Sequence, residues 1–136
     1  MEHHNRRARD RLSKYLRNKR VVLVGPAPSI IGSNQGKLID DYDVVVRLNK
    51  AVPVPSKLKN DIGTRTDILY NCMNPSDECG GPISISVLKK KNVRFLVGAF
   101  PPIEKIGSQR MRLKKDVMDF FSKNRLRYNN FCYTDK

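Results

Sequence analysis

The sequence predicts an α/β fold, a mostly parallel sheet with helices on both faces. Three observations lead there. Short apolar runs of strand length recur at residues 21–24, 44–46 and 95–99. Between them lie stretches whose apolar residues return every three or four positions, the spacing of a helix that buries one side. The runs are also continuous rather than alternating, as strands buried on both faces require. Strands and helices that alternate in this way pair in parallel through right-handed crossovers.

A chain of 136 residues with 39% apolar and 29% charged residues has the make-up of one soluble globular domain. The expected division is a basic N-terminal helix over residues 1–19 and an α/β domain over 20–136. Ala8, Leu12, Tyr15 and Leu16 share one side of a helix over about 6–18, which packs on the domain edge. Residues 20–24 then read as a buried strand, ended abruptly by Gly25-Pro26-Ala27-Pro28-Ser29. A short helix over 35–41 presents Leu38 and Ile39, and residues 44–48 form the second strand. Pro53 and Pro55 make 51–60 an irregular loop.

Further strands are expected at 67–70 and 93–99, with a helix over 83–91 between them. The segment 75–82, with two prolines and two glycines, reads as a loop. Ser108 is positioned to cap a last helix whose apolar residues Leu113, Val117, Phe120 and Phe121 follow helical spacing. A fifth strand is expected within 127–133. The apolar runs are far short of the roughly 20 residues that cross a bilayer, and no secretory leader is recognisable, so a cytoplasmic setting is expected. His3 and His4 fall in a terminus expected to fray.

The formal charge is +14, and it is unevenly spread. Residues 1–20 hold eight Lys/Arg against two acids, and residues 104–127 eight against three. Such ends suit a polyanion, because bound Lys and Arg release its counterions. A basic module that binds nucleic acid on an α/β scaffold is therefore the alternative reading, although no zinc-finger spacing, RNA-binding aromatic motif or helix-turn-helix accompanies the charge. Cys72, Cys79 and Cys132 are odd in number, lack close spacing and have no histidine nearby, which predicts neither a metal site nor a disulfide.

Ligands of open parallel sheets sit beyond the carboxyl ends of strands, where strand order reverses. Gly25 to Ser29 and Arg47 to Asn49 occupy such ends. The small residues Gly25, Ala27 and Ser29 let backbone N–H groups approach a phosphate, although the loop is neither a dinucleotide fingerprint nor a triphosphate loop. Asn49 has two open readings: it contacts a nucleotide, or it caps its own loop. Asp43, Asp61, Arg65 and Asp67 read as a structural cluster of bidentate Arg–carboxylate contacts.

These islands together carry a resemblance. Residues 21–33, then Gly36, Ile39-Asp40, the run Asp43-Val44-Val45-Val46-Arg47-Leu48-Asn49, and Asp61-Ile62-Gly63-Thr64-Arg65-Thr66-Asp67 resemble the large sialylmotif of family 29 glycosyltransferases. The likeness covers about residues 20–72. It implies a Rossmann-like sheet and a CMP-activated sugar donor such as CMP-sialic acid, bound without an obligatory metal or a separate cofactor. It also implies a donor site at Gly25, Pro26, Ala27, Ser29 and Asn49, with Asn49 on the second of the family's two donor-contacting asparagines.

Two departures accompany it. Pro26 stands where the family has the first of those asparagines, and Val21 stands where it has a disulfide-forming cysteine. The small sialylmotif and the catalytic-histidine segment are expected downstream of Lys136, so no catalytic residue is assigned within 1–136. The acceptor glycan is not specified by any of these residues. For the 136 residues alone the expectation is nucleotide binding, and a third reading is a non-functional gene fragment.

Overall fold

The computed structural model describes residues 2–74, 76–77, 82–99, 107–124, 128 and 130–134. Its elements run α1 (Glu2–Leu16), β1 (Val21–Val24), α2 (Gly36–Asp40), β2 (Val44–Leu48), α3 (Lys59–Ile62), β3 (Ile68–Asn71), α4 (Ile85–Lys90), β4 (Phe95–Gly98), α5 (Gly107–Asn124) and β5 (Phe131–Tyr133), with single 3-10 turns at Pro28–Ile30 and Ser56–Leu58. All strands lie in one sheet of order β1-β2-β3-β4-β5, and every neighbouring pair is parallel. This is the α/β, Rossmann-like sheet that the sequence predicts.

Side chains alternate between faces along each strand, so the two core layers can be read from the register. On one face Val44, Val46, Ile68, Phe95, Val97 and Cys132 pack beneath Ala8 and Leu12 of α1. On the other, Leu69, Leu96, Phe131 and Tyr133 meet Ile85 and Leu88 of α4 and Val117 and Phe121 of α5. Ile39 of α2 closes the same layer over Val24 and Val45. Fully buried Phe121, Phe131, Leu96 and Val117 each contribute roughly 1.5–3 kcal/mol by leaving water. Among the described residues the helices between successive strands share one face, and α1 covers the second.

Strand order is sequential, so the five strands contain no point where it reverses. The reversal point that the sequence reading expects at the ligand site does not fall within the described strands. β1 is also not a buried strand. It lies at the sheet edge beyond the reach of α1, leaving Val21 44% and Leu23 61% exposed. Leu38 of α2 likewise points to solvent while Ile39 is buried.

The opposite edge is closed by α1. The Asn5 amide donates to the Tyr133 carbonyl at 3.3 Å and accepts from the Tyr133 N–H at 2.9 Å, imitating the next strand. The His4 ring meets Phe121 edge-on at 5.2 Å, so the terminus expected to fray is packed. The 51–60 stretch is more regular than expected, running through a 3-10 turn into α3. Ser108 lies within the first turn of α5 rather than capping it. The Leu113 side chain, Cys79, most of the 75–82 loop and the side chains at 107–114 and 116 lie outside the described residues. No helix among the described residues is long and apolar enough to cross a membrane.

Candidate functional site

In the β1–β2 register Val24 pairs with Arg47. The next residues out, Gly25 to Ala27 after β1 and Leu48-Asn49 at the end of β2, therefore emerge side by side at the carboxyl end of the sheet. Residues 25–29 are all exposed. Pro28 opens a 3-10 turn in which the Ile30 N–H donates to the Ala27 carbonyl, which places Ser29 inside the turn. Gly25 has no atom within 4 Å of the place a Cβ would occupy, so the backbone there is open to a ligand. The structure brings Gly25, Pro26, Ala27 and Asn49 to adjacent strand ends, with Ser29 set back in the turn.

Asn49 resolves its two readings in an unexpected way. Its φ of 50° is left-handed, a region that asparagine tolerates better than most residues. Its N–H donates to the Tyr70 carbonyl at 2.7 Å, and its Oδ1 accepts from the Cys72 N–H at 3.0 Å. The cap is real, and it also fixes which way round the amide lies. Among the described residues no protein acceptor takes the Nδ2 hydrogens, so the donor half of the amide remains for a ligand. Beside it lies a pocket of about 140 Å³ between Asn49, Lys50, Asn71 and Ser84. Ligand pockets usually span about 300–1,000 Å³, so it is smaller than a whole nucleotide requires.

Lys50, Asn71 and Ser84 were not singled out in the sequence. Asn71 ends β3 as Asn49 follows β2, buried with its Oδ1 on the Met73 N–H at 2.6 Å. A polar residue closing an apolar strand was the available signal.

Arg47 does not reach this surface. It is fully buried on the α2–α3 side, donating from Nε to the Arg65 carbonyl and the Thr66 hydroxyl and from its second amino group to the Ile62 carbonyl at 2.6 Å. The carboxylates around it are structural, though not chiefly through bidentate arginine pairs. Asp40 accepts from the Thr64 and Arg65 N–H groups and the Thr64 hydroxyl. Burial pushes its carboxyl up, but those donors and the Arg47 charge outweigh it and hold the carboxyl below the ordinary 3.8. Asp61 takes the Asn34 N–H at 3.0 Å, and Asp43 takes the Arg20 N–H at 2.8 Å. Asp67 joins the Val45 N–H to Arg65, whose guanidinium lies 2.9 Å away.

Two glycines let this corner close. A Cβ on Gly36 would collide with the Lys59 and Asn60 carbonyls, so α2 rests directly on the α3 backbone. Gly63, at φ 74°, would push a Cβ to 2.5 Å from the Asp40 carboxylate. Among the described residues no cluster of His, Cys, Asp and Glu is arranged to hold a metal ion.

Comparison with known proteins agrees with this geometry. The family model for glycosyltransferase family 29 (sialyltransferase) matches residues 4–100. The match therefore extends beyond the motif segment to take in most of α1 and the strands through β4. Two curated relatives, the CMP-N-acetylneuraminate-beta-1,4-galactoside alpha-2,3-sialyltransferases of Homo sapiens and Pan troglodytes, are each 42% identical over 53 residues, which is 39% of this chain. That segment spans 14% of the length of those relatives. The chain belongs to glycosyltransferase family 29, the sialyltransferase family.

Proposed function

We propose that this chain provides the donor-nucleotide surface of a sialyltransferase-type domain and takes a CMP-activated sugar such as CMP-sialic acid. The observation that carries this reading is the pairing of β1 with β2, which brings the Gly25–Ala27 backbone and Asn49 out at neighbouring strand ends in a chain of this family, although the Asn49 oxygen is turned toward Cys72 beyond β3. Backbone N–H groups at Gly25 and Ala27 are the donors offered to the phosphate, and the Asn49 amide is the fixed hydrogen-bond donor beside them. Pro26 has no N–H and replaces a family asparagine, so the site has one contact fewer than the motif implies.

In a completed domain the expected reaction is inverting transfer of the sugar to an acceptor hydroxyl. A base deprotonates the acceptor, and CMP leaves as its phosphate gains charge against the Gly25–Ser29 loop. The base is expected from outside residues 1–136, and the acceptor is a glycan. The nucleic-acid alternative gains no support from the fold or from the family match.

Calorimetry with CMP tests the reading. Asn49→Asp keeps the Oδ1 cap on Cys72 but removes the N–H donors and adds a charge that repels phosphate, so affinity is expected to fall by about tenfold or more. Pro26→Asn is expected to raise it. Equal CMP affinity in the parent and Asn49→Asp would contradict the site.

A further inference from the structure

At the amino end of the sheet, the pole opposite the donor loops, a cleft of about 880 Å³ opens between α1 and the start of β4. Three separate stretches of sequence build it. The C-terminal half of α1 contributes Arg11, Lys14 and Tyr15, α4 contributes Lys89, and the lead into β4 contributes Arg94. The buried side chains of Val93, Phe95 and Tyr128 form the floor. Among the described residues no carboxylate lines it. Lys14, Lys89 and Arg94 have no ion-pair partner among the described residues; Arg94 instead lies over the Tyr15 ring, 5.4 Å from its centroid. Arg11 donates from Nε to the Asn130 side-chain Oδ1 at 2.9 Å. Burial, then the Asp67 charge, raises the Tyr15 hydroxyl pKa, and Asp67 is already paired with Arg65.

We infer that this cleft is a second binding site, for a small molecule carrying clustered tetrahedral oxyanions, phosphates or sulfates. Lys14, Lys89 and Arg94, gathered over buried side chains and without an ion-pair partner among the described residues, repel one another, and an anion of several charges relieves all three at once. The volume lies within the usual range of about 300–1,000 Å³ for a small-molecule site. An open depression of this volume, built from residues 11–15, 89–95, 128 and 130, matches a compact ligand, whereas a duplex tracks a longer basic surface. Nothing in the donor reading depends on this cleft, since the two lie at opposite ends of the strands.

The test is an NMR titration of the full chain with inorganic tripolyphosphate in one arm and sucrose octasulfate in the other, at physiological salt. The expected result is amide shifts confined to residues near 11–15 and 89–95, with Gly25 and Ala27 unmoved. Lys14→Gln/Lys89→Gln, both exposed positions that leave the core intact, is expected to weaken binding about tenfold or more. Lys37→Gln/Lys57→Gln, elsewhere on the surface, is expected to change it less than twofold. Whichever anion gives the localised response identifies the source. The inference is overturned by absence of a response in both arms, by equal losses in the two double variants, or by a chain that binds duplex DNA while ignoring both small anions.

Discussion

On the proposed reading, Asn49 serves structure and ligand through one side chain. Its oxygen is committed to the Cys72 N–H, and its backbone sits at φ 50°. Asn49→Ala therefore removes a cap as well as a ligand donor, and a stability loss of about 1 kcal/mol is expected by thermal melting, alongside weaker CMP binding. Asn49→Asp separates the two effects. Asp40 makes a second residue-scale test. Its folded carboxyl titrates below the ordinary value, so it adds stability above pH 4 that is lost as pH falls through the depressed folded value. Asp40→Asn is expected to cost about 1–3 kcal/mol at pH 7 and to flatten the acid limb of the stability profile. An unchanged melting temperature would refute that role. Burial pushes the Cys132 thiol up to about 11. Its alkylation at pH 8 is therefore expected to track global unfolding, read by mass spectrometry across a denaturant series.

At the scale of elements, the α2–α3 corner is a close backbone approach that a single methyl group would disrupt. Gly36→Ala forces the two helices apart and is expected to lower stability by about 1–3 kcal/mol in urea unfolding, with little effect on α1 or β5. The strands were legible because β2 and β4 are continuous apolar runs, and the structure places them within two residues of expectation. What the sequence hid was neighbourhood. Val21-Val22-Leu23-Val24 has the composition of a buried strand, and only its place at the sheet edge, past the end of α1, exposes Val21 and Leu23. α3 was hidden because Pro53 and Pro55 mask a four-residue helix whose stability comes from Gly36 rather than from its own periodicity. Pairing of Asn49 with Cys72, 23 positions apart, has no local signal at all.

For the whole molecule, the sequential strand order separates two poles. The carboxyl ends gather the glycine loop, Asn49 and Asn71, and the amino ends gather Lys14, Lys89 and Arg94, which have no ion-pair partner among the described residues. The carboxyl pole was visible in advance through matched motif islands, whereas the amino pole was not, because Lys14, Lys89 and Arg94 meet only once the chain has folded. α1 belongs to this single architecture: it supplies one core layer and closes the β5 edge through Asn5. The central claim is that the β1 and β2 ends hold a CMP-bearing donor, and NMR mapping of CMP on the labelled chain tests it most directly. The account predicts amide shifts at Gly25, Ala27 and Asn49, smaller shifts with AMP at equal concentration, and enlarged CMP shifts in Pro26→Asn. Silence at those amides with millimolar CMP, in the parent and in Pro26→Asn alike, would contradict it.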